Sequence, residues 1–105
     1  MVHVFKALAD PTRRRVLELL RERPMRAGEL ASHFPVSKPT MSAHFAVLRA
    51  ANLIDAEKAG KTLIYRLNLS VLEDAVLGFA RAFKLGSPAD RPVRAMPALR
   101  KRMAR

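Results

Sequence analysis

Nine polar or cationic side chains fall into three short clusters whose chemistry suits a polyanion. The central cluster follows Ser37 and combines a cation, two hydroxyls and an imidazole: Lys38, Thr40, Ser42 and His44. The other two clusters lie at a predicted helix start and a predicted turn: Thr12, Arg13, Lys58, Lys61 and Thr62. Lysine and arginine pair with phosphates, whereas hydroxyl and imidazole groups hydrogen-bond to phosphates and base edges. These residue types therefore predict contacts with double-stranded DNA.

The net charge favours the same kind of partner. Of the 105 residues, 20 are Lys or Arg and nine are Asp or Glu, which gives a formal charge of +11. Residues 86–105 contain six Lys or Arg, a single Asp and three of the seven prolines. We expect this segment to be a basic, disordered tail, either a solubilising extension or an arm that adds phosphate contacts.

Two predicted helices precede the central cluster. Asp10 followed by Pro11 is typical of a helix N-terminus, so the first polar cluster lies in a first turn, where backbone N–H groups favour anions. Pro24 disfavours helical geometry at Arg23, and we expect this helix to end there. A short helix over residues 27–33 follows.

The central cluster lies on a predicted helix that is capped by Ser37 and ends near Ala51. Its inner face repeats apolar residues at helical spacing: Met41, Phe45 and Leu48. Its opposite face is thin: Pro39, Ser42, Ala43, Ala46 and Ala50. A thin face lets a helix approach the floor of the major groove closely. Two alternatives stay open, since Lys38 can be a solvated surface charge and His44 can pack between helices.

The spacing of the apolar residues changes from helical to alternating after Asn52. Asparagine tolerates the left-handed conformation that is common at a helix end. Residues 54–58 and 62–67 predict two strands joined at Ala59 and Gly60, with the third polar cluster at the tip of the hairpin. The predicted fold class is mainly α with a small β-hairpin. The order of the elements is that of a winged helix-turn-helix, in a single DNA-binding and dimerisation domain over residues 1–85.

The last predicted helix begins with a capping box formed by Ser70 and Glu73. It carries more apolar surface than one core-facing stripe needs, including Leu72, Val76, Phe79 and Phe83. A two-fold partner would cover this surface together with residues of the N-terminal helix: Val4, Phe5 and Leu8. The alternative is that these side chains only close the core of a monomer.

Three segments carry a resemblance to a known family: FKALADPTR at 5–13, SKPTMSAHF at 37–45 and LRAANLI at 48–54. With the hairpin that ends in IYRL, they resemble the ArsR/SmtB family of bacterial repressors, in particular its SdpR-like branch, over about residues 2–85. The resemblance implies a homodimeric transcriptional repressor that binds an operator, often in its own promoter. Ala43 departs from the family, in which a larger polar residue is frequent, and this favours readout of DNA shape and phosphates.

Many members of that family sense metals, but their ligand positions are not matched in this chain. The family's thiolate site needs cysteines, whereas this chain has none and carries AGEL at 27–30. The family's second site needs Asp and His pairs, and residues 70–85 contain no His. We therefore predict no metal and no other cofactor. The alternative is a ligand- or metal-responsive sensor in which His3 joins a site across the dimer.

Other functional classes are disfavoured. The chain has no Gly-rich phosphate loop and no cysteine nucleophile, so we predict no enzymatic activity. No apolar run reaches the roughly 18 residues that span a bilayer, so we expect a cytoplasmic, nucleoid-associated protein without a membrane partner. A nonspecific, nucleoid-type DNA-binding protein is the alternative to a specific repressor. A specific repressor leaves room for an inducer or partner protein that relieves repression.

Overall fold

The computed structural model describes residues 2–86, which are mostly helical with a small antiparallel sheet, as predicted. In chain order the elements are α1 (Val2–Leu8), α2 (Pro11–Glu22), β1 (Met25–Arg26), α3 (Ala27–Ala31), α4 (Lys38–Ala50), β2 (Ile54–Ala59), β3 (Thr62–Leu67) and α5 (Leu69–Ala82). Apart from Gly86, the predicted basic tail over 86–105 lies outside the described residues.

Helix α2 begins where the sequence predicts because Asp10 caps it. The Asp10 carboxylate accepts hydrogen bonds from the backbone N–H groups of Thr12 at 2.7 Å and Arg13 at 3.2 Å. The helix ends at Glu22, and Arg23, which precedes a proline, is extended. One face is buried: Val16, Leu17, Leu19 and Leu20.

Helix α3 ends at Ala31, two residues before the predicted end. The N–H of His33 donates to the carbonyl of Leu30, three residues back, at 3.2 Å. Bonds of this span tighten a last turn instead of continuing an α-helix. An ion pair joins Arg23, just after α2, to Glu29 of α3, and the hydrogen bond from Arg23 lowers the pKa of the Glu29 carboxyl.

Helix α4 is fixed at its start, along its inner face and at its end. The Ser37 hydroxyl accepts a hydrogen bond from the backbone N–H of Thr40 at 3.2 Å. The predicted inner face is buried: Met41 is 1% exposed, Phe45 5% and Leu48 0%. The ring of Phe45 packs on Tyr65 of β3, with centroids 4.8 Å apart. Asn52 has a φ of 61°, which confirms the predicted left-handed residue after the helix.

The predicted hairpin forms between β2 and β3. The two strands are antiparallel from Ile54, opposite Leu67, to Ala59, opposite Thr62. Gly60 follows β2 with a φ of +64°, a left-handed conformation that glycine adopts without a Cβ clash. Because Ala59 still pairs within the ladder, the turn lies one residue later than the sequence predicts.

A third strand, which the sequence analysis did not predict, completes the sheet. Strand β1 pairs antiparallel with β3, with Met25 opposite Tyr65, so the strand order is β1-β3-β2. Two residues are too few to show the alternation by which a strand is identified in a sequence.

Helix α5 begins one residue before the predicted cap. The carbonyl of Asn68 accepts a hydrogen bond from the N–H of Leu72 at 3.3 Å, so Asn68 is the cap residue and Ser70 lies inside the first turn. The N–H of Asn68 itself donates to the carbonyl of Leu53 at 2.9 Å. The predicted capping box is therefore wrong, because this tertiary hydrogen bond fixes where the helix starts.

Within the described residues 2–86, the chain divides after Ala75 into a first and a second unit. The largest fully buried side chains all belong to the first unit: Val16, Leu30, Met41, Leu48, Leu53 and Ile54. In the second unit, large apolar side chains are exposed: Val76, Leu77, Phe79, Phe83 and Leu85. The first unit therefore contains the hydrophobic core.

Candidate nucleic-acid interface

The outer face of α4 carries the exposed members of the central polar cluster among small side chains. Lys38 and Ser42 are exposed, and so are the alanines Ala43, Ala46 and Ala50. Thr40 is exposed as well, and its hydroxyl is hydrogen-bonded to that of Ser37 at 2.9 Å. The buried inner face holds the helix in place, so Lys38 and Ser42 are presented to solvent from a fixed backbone.

His44 is half-buried, and Arg13 of α2 holds its ring. Arg13 Nη1 donates to His44 Nδ1 at 3.3 Å. Since a guanidinium group only donates, Nδ1 can take part in this contact only as the acceptor. The same guanidinium donates to the carbonyl of Ala7 from Nε at 2.8 Å and to that of Lys6 from Nη2 at 3.1 Å. Arg13 therefore links α1, α2 and α4, a role that the sequence analysis missed.

The N-terminus of α2, which the sequence predicts to favour a phosphate, already holds a carboxylate of the protein. Partial desolvation raises the pKa of Asp10, but hydrogen bonds from the N–H groups of Arg13 and Thr12 outweigh this effect and leave the pKa below its ordinary value. Thr12 and Arg13 are half-buried. A phosphate at this position would meet the negative charge of Asp10, so the site is less favourable for DNA than the sequence suggests.

The third cluster lies at the tip of the hairpin. Lys58, Lys61 and Thr62 are exposed. Arg26 Nη1 donates to Thr62 Oγ1 at 3.0 Å, so the pairing of β1 with β3 adds a cation that the sequence analysis missed. No sequence signal could have found Arg26, because the strand that places it is only two residues long.

A groove of about 540 Å³ lies between α3, α4 and β3. Lys38 and Ser42 line it together with Leu63 and Tyr65 of the hairpin. The structure thus brings two residues of the central cluster beside the hairpin strand, and it pairs a third, His44, with Arg13.

The residues predicted to form a dimer interface divide into two groups. Val4 is 6% exposed and belongs to the core, and its side chain offers little surface to a partner. Phe5, Leu8 and Leu72 are half-buried against the core. In the second unit the side chains are more exposed: Val76 is 47% exposed, Phe79 43% and Phe83 64%, and the rings of Phe79 and Phe83 pack on each other. This group is the more exposed part of the predicted interface.

Residues 2–86 also lack two features of other functional classes. Within that range, no group of three or more His, Cys, Asp or Glu side chains is arranged to hold a metal ion. No helix in the same part of the chain is long and apolar enough to cross a membrane. His3 and His33, two of the three histidines, are exposed on different elements.

A short helix, a capped helix with a thin outer face and an antiparallel hairpin together define a winged helix-turn-helix, an architecture of DNA-binding regulators. Residues 10–56 match the sequence pattern of the bacterial regulatory protein, arsR family. Over an alignment of 76 residues, the chain is 45% identical to the transcriptional repressor SdpR of Bacillus subtilis (strain 168). The alignment covers 72% of this chain and 84% of that protein. This protein belongs to the ArsR family.

Solved structures agree with this assignment. A crystal structure of an ArsR family transcriptional regulator, RHA00566, superimposes with a TM-score of 0.72 at 29% identity, over 78% of this chain and 90% of that chain. An ArsR-like transcriptional regulator from Rhodococcus sp. RHA1 gives a TM-score of 0.70 at 28% identity, over 97% of this chain and 91% of that chain. The predicted family and fold are confirmed, and membership of a family of regulators also confirms the prediction that the protein is not an enzyme.

Proposed function

We propose that this protein is a transcriptional repressor that binds a pseudo-palindromic operator as a homodimer, without a metal inducer or other cofactor. The observation that carries the proposal is the arrangement of side chains on the two faces of α4. Its inner face is buried, its outer face is thin, and Lys38 and Ser42 are exposed there. The similar protein SdpR is named a transcriptional repressor, which supports repression as the outcome of binding.

The exposed residues of α4 divide into base and phosphate contacts. Lys38 and Ser42 contact base edges, and His44, whose Nδ1 is taken by Arg13, donates from Nε2. Phosphates are contacted by the first turn of α4 and by the hairpin tip: Thr40, Lys58, Lys61 and Thr62. Arg13 acts through α4 as a positioning residue, because its guanidinium already donates to three acceptors of the protein.

Fluorescence anisotropy tests these roles, with the duplex upstream of the protein's own gene and a scrambled duplex compared at about 150 mM salt. Lys38→Ala and Ser42→Ala should weaken operator binding and relax sequence preference. Lys61→Ala should weaken binding to both duplexes equally and lower the salt slope by about one. Lys6→Ala, which removes an exposed charge from α1, is the control and should change little. Equal losses on both duplexes for Lys38→Ala and Ser42→Ala would contradict the assigned base contacts, and a loss on the operator alone for Lys61→Ala would contradict its assigned phosphate contact.

The partner for the exposed apolar group is a second copy of the chain. Val76, Phe79 and Phe83 are each more than 40% exposed, although the rings of Phe79 and Phe83 pack on each other. Helix-turn-helix proteins that pair by two-fold symmetry read half-sites about one DNA turn apart. Phe83→Ser should raise the dimer dissociation constant at least about 100-fold, because a symmetric interface loses the ring twice. Sedimentation measures this, with Val36→Ser, which changes an exposed apolar residue of the first unit, as the control. An unchanged dissociation constant for Phe83→Ser would exclude this interface.

A nonspecific, nucleoid-type DNA-binding protein is the second candidate, favoured by the formal charge of +11 and by the small Ala43 on the outer face of α4. Both candidates predict steep salt dependence, since six to ten phosphate contacts lower affinity by roughly three to five decades between 50 and 200 mM salt. The two candidates differ in their preference for the operator over other DNA. A specific repressor should prefer its operator by about a thousandfold or more, whereas a nonspecific protein binds both duplexes equally.

The same titration tests independence of metal ions. Zinc ions added to the DNA complex, and a chelator added to the purified protein, should each leave the affinity for the operator unchanged. Release of the DNA by zinc, reversed by the chelator, would instead identify a metal-responsive sensor.

A further inference from the structure

The groove between α3, α4 and β3 is a cavity in the surface that the proposed function assigns to DNA. Its volume of about 540 Å³ falls within the range of roughly 300 to 1,000 Å³ that is usual for small-molecule sites. Its floor is apolar: Met41, Phe45, Leu63 and Tyr65. Since Met41, Phe45 and Tyr65 are each no more than 5% exposed, this floor is part of the folded core and is formed before any ligand arrives.

The polar groups of the groove select the charge of its occupant. Lys38 is the one charged side chain among the described residues that line it, so the wall carries a cation and no acid. Tyr65 is 5% exposed, and no residue between 2 and 86 hydrogen-bonds to its hydroxyl. A buried phenol normally has a partner. An acidic ligand supplies both a negative charge for Lys38 and acceptor oxygens for hydroxyl groups.

The aromatic floor selects the body of the ligand. The rings of Phe45 and Tyr65 lie 4.8 Å apart at an interplanar angle of 41°. Since each residue is only 5% exposed, a third ring can contact only the small exposed part of each, in an edge-to-face arrangement. We propose that this groove binds a small aromatic anion, with its rings on Phe45 and Tyr65 and its acid group at Lys38. Because Lys38 and Ser42 also belong to the proposed DNA contacts, the anion competes with DNA, and this second part rests on the proposed function.

The binding site is tested first without DNA, with anilinonaphthalenesulfonate, a fluorescent aromatic anion, as the probe. Lys38→Met should weaken its binding about fivefold, as expected for an accessible ion pair. Lys6→Met removes the same charge from α1 and should change the affinity by less than about twofold. This comparison separates a contact at the groove from the general attraction of an anion to a basic protein.

A second pair of variants tests occupancy of the cavity. A Cβ placed on Gly28, which lines the groove, meets nothing within 4 Å, so Gly28→Leu adds bulk there without a backbone clash. It should weaken probe binding at least about tenfold, whereas Ala50→Leu, an exposed position outside the groove, should not. Tyr65 is the single tyrosine of the chain, so ring-labelled tyrosine gives an unambiguous NMR signal that the probe should shift in wild type and not in Gly28→Leu. Equal probe affinity in wild type, Lys38→Met and Gly28→Leu would overturn the proposed site.

The competition is tested by repeating the DNA titration with the probe at ten times its dissociation constant. The apparent dissociation constant for the operator should rise at least about tenfold in wild type and by clearly less in Gly28→Leu. Unchanged DNA affinity with the groove occupied would overturn the competition. DNA affinity is also measured without the probe, and absence of operator binding in that measurement would contradict the proposed function. The two pairs of variants decide independently whether the groove binds the anion.

Discussion

Replacing Arg13 by Lys or Met separates a positioning role from a contact with DNA. The guanidinium donates to the carbonyls of Lys6 and Ala7, which are among the last carbonyls of α1, and to His44 on α4. The carbonyls at a helix C-terminus lack partners within the helix, and arginine side chains often satisfy them. A lysine ammonium keeps the charge but cannot reproduce a planar fork that serves three acceptors in different directions.

The expected loss follows from the exposure of each bond. The bonds to Ala7 and His44 are partly buried and the bond to Lys6 is exposed. At about 1 kcal/mol for each partly buried bond and little for the exposed one, both variants should lose roughly 2 kcal/mol of unfolding free energy. In urea, with a slope of about 1 to 2 kcal/mol per molar, the midpoint should fall by about 1 to 2 M.

Arg15→Met is the matched control, since Arg15 lies on the same helix and pairs with Glu18 at 2.9 Å while both side chains are more than half exposed. It should cost less than about 0.5 kcal/mol. The salt slope of DNA binding should be the same in wild type, Arg13→Lys and Arg13→Met. If Arg13→Lys unfolded at the wild-type midpoint, and Arg13→Met alone lowered the salt slope by about one, Arg13 would be a phosphate contact and the positioning role would be refuted.

Three further predictions concern the elements that hold α4 and α2. Leu48 is fully buried, so Leu48→Ala should lower the unfolding free energy by about 2 to 5 kcal/mol. Ala46→Ser, at an exposed position, should lower it by less than about 0.5 kcal/mol. Equal urea midpoints for the two variants would contradict the assignment of Leu48 to the core. Asn52→Ala should lower thermal stability by about 1 kcal/mol and Asn52→Gly should not, because only the former places a Cβ-restricted residue at a φ of 61°. The folded-state pKa of Asp10 is lowered, so its charge stabilises the fold above the ordinary carboxyl pKa, and this contribution disappears as the pH falls through the folded-state value. The stability difference between wild type and Asp10→Asn should therefore shrink in acid, and a difference that grew in acid would contradict the cap.

The features that the sequence predicts correctly are those set by neighbouring residues. The caps at Asp10 and Ser37 act on N–H groups two or three residues away, and the buried stripe of α4 repeats at helical spacing. The left-handed Asn52 follows from the chemistry of one side chain at one position. Local interactions of this kind leave a signature in the order of the residues, and that signature suffices to place Lys38 and Ser42 on the outer face of α4.

The features that the sequence does not predict depend on residues far apart in the chain. The contact of Arg13 with His44 spans 31 residues, and strand β1 exists only through its pairing with β3. Ser70 and Glu73 have the spacing of a capping box, yet the bond from Asn68 to the carbonyl of Leu53 starts the helix one residue earlier. A local pattern gives way where a tertiary hydrogen bond fixes the same backbone more firmly.

The composition of α4 also determines how the proposed anion would act. Met41 and Phe45 are at once the inner face of the helix and the floor of the groove, and both are buried in the described structure. A ligand on this floor therefore needs no change in the core, and its effect on DNA binding arises directly at Lys38 and Ser42. Such a ligand should weaken DNA binding without changing the dissociation constant of the dimer. An effector that acted through the exposed residues of α5 would change both quantities, so sedimentation with the probe present distinguishes the two routes.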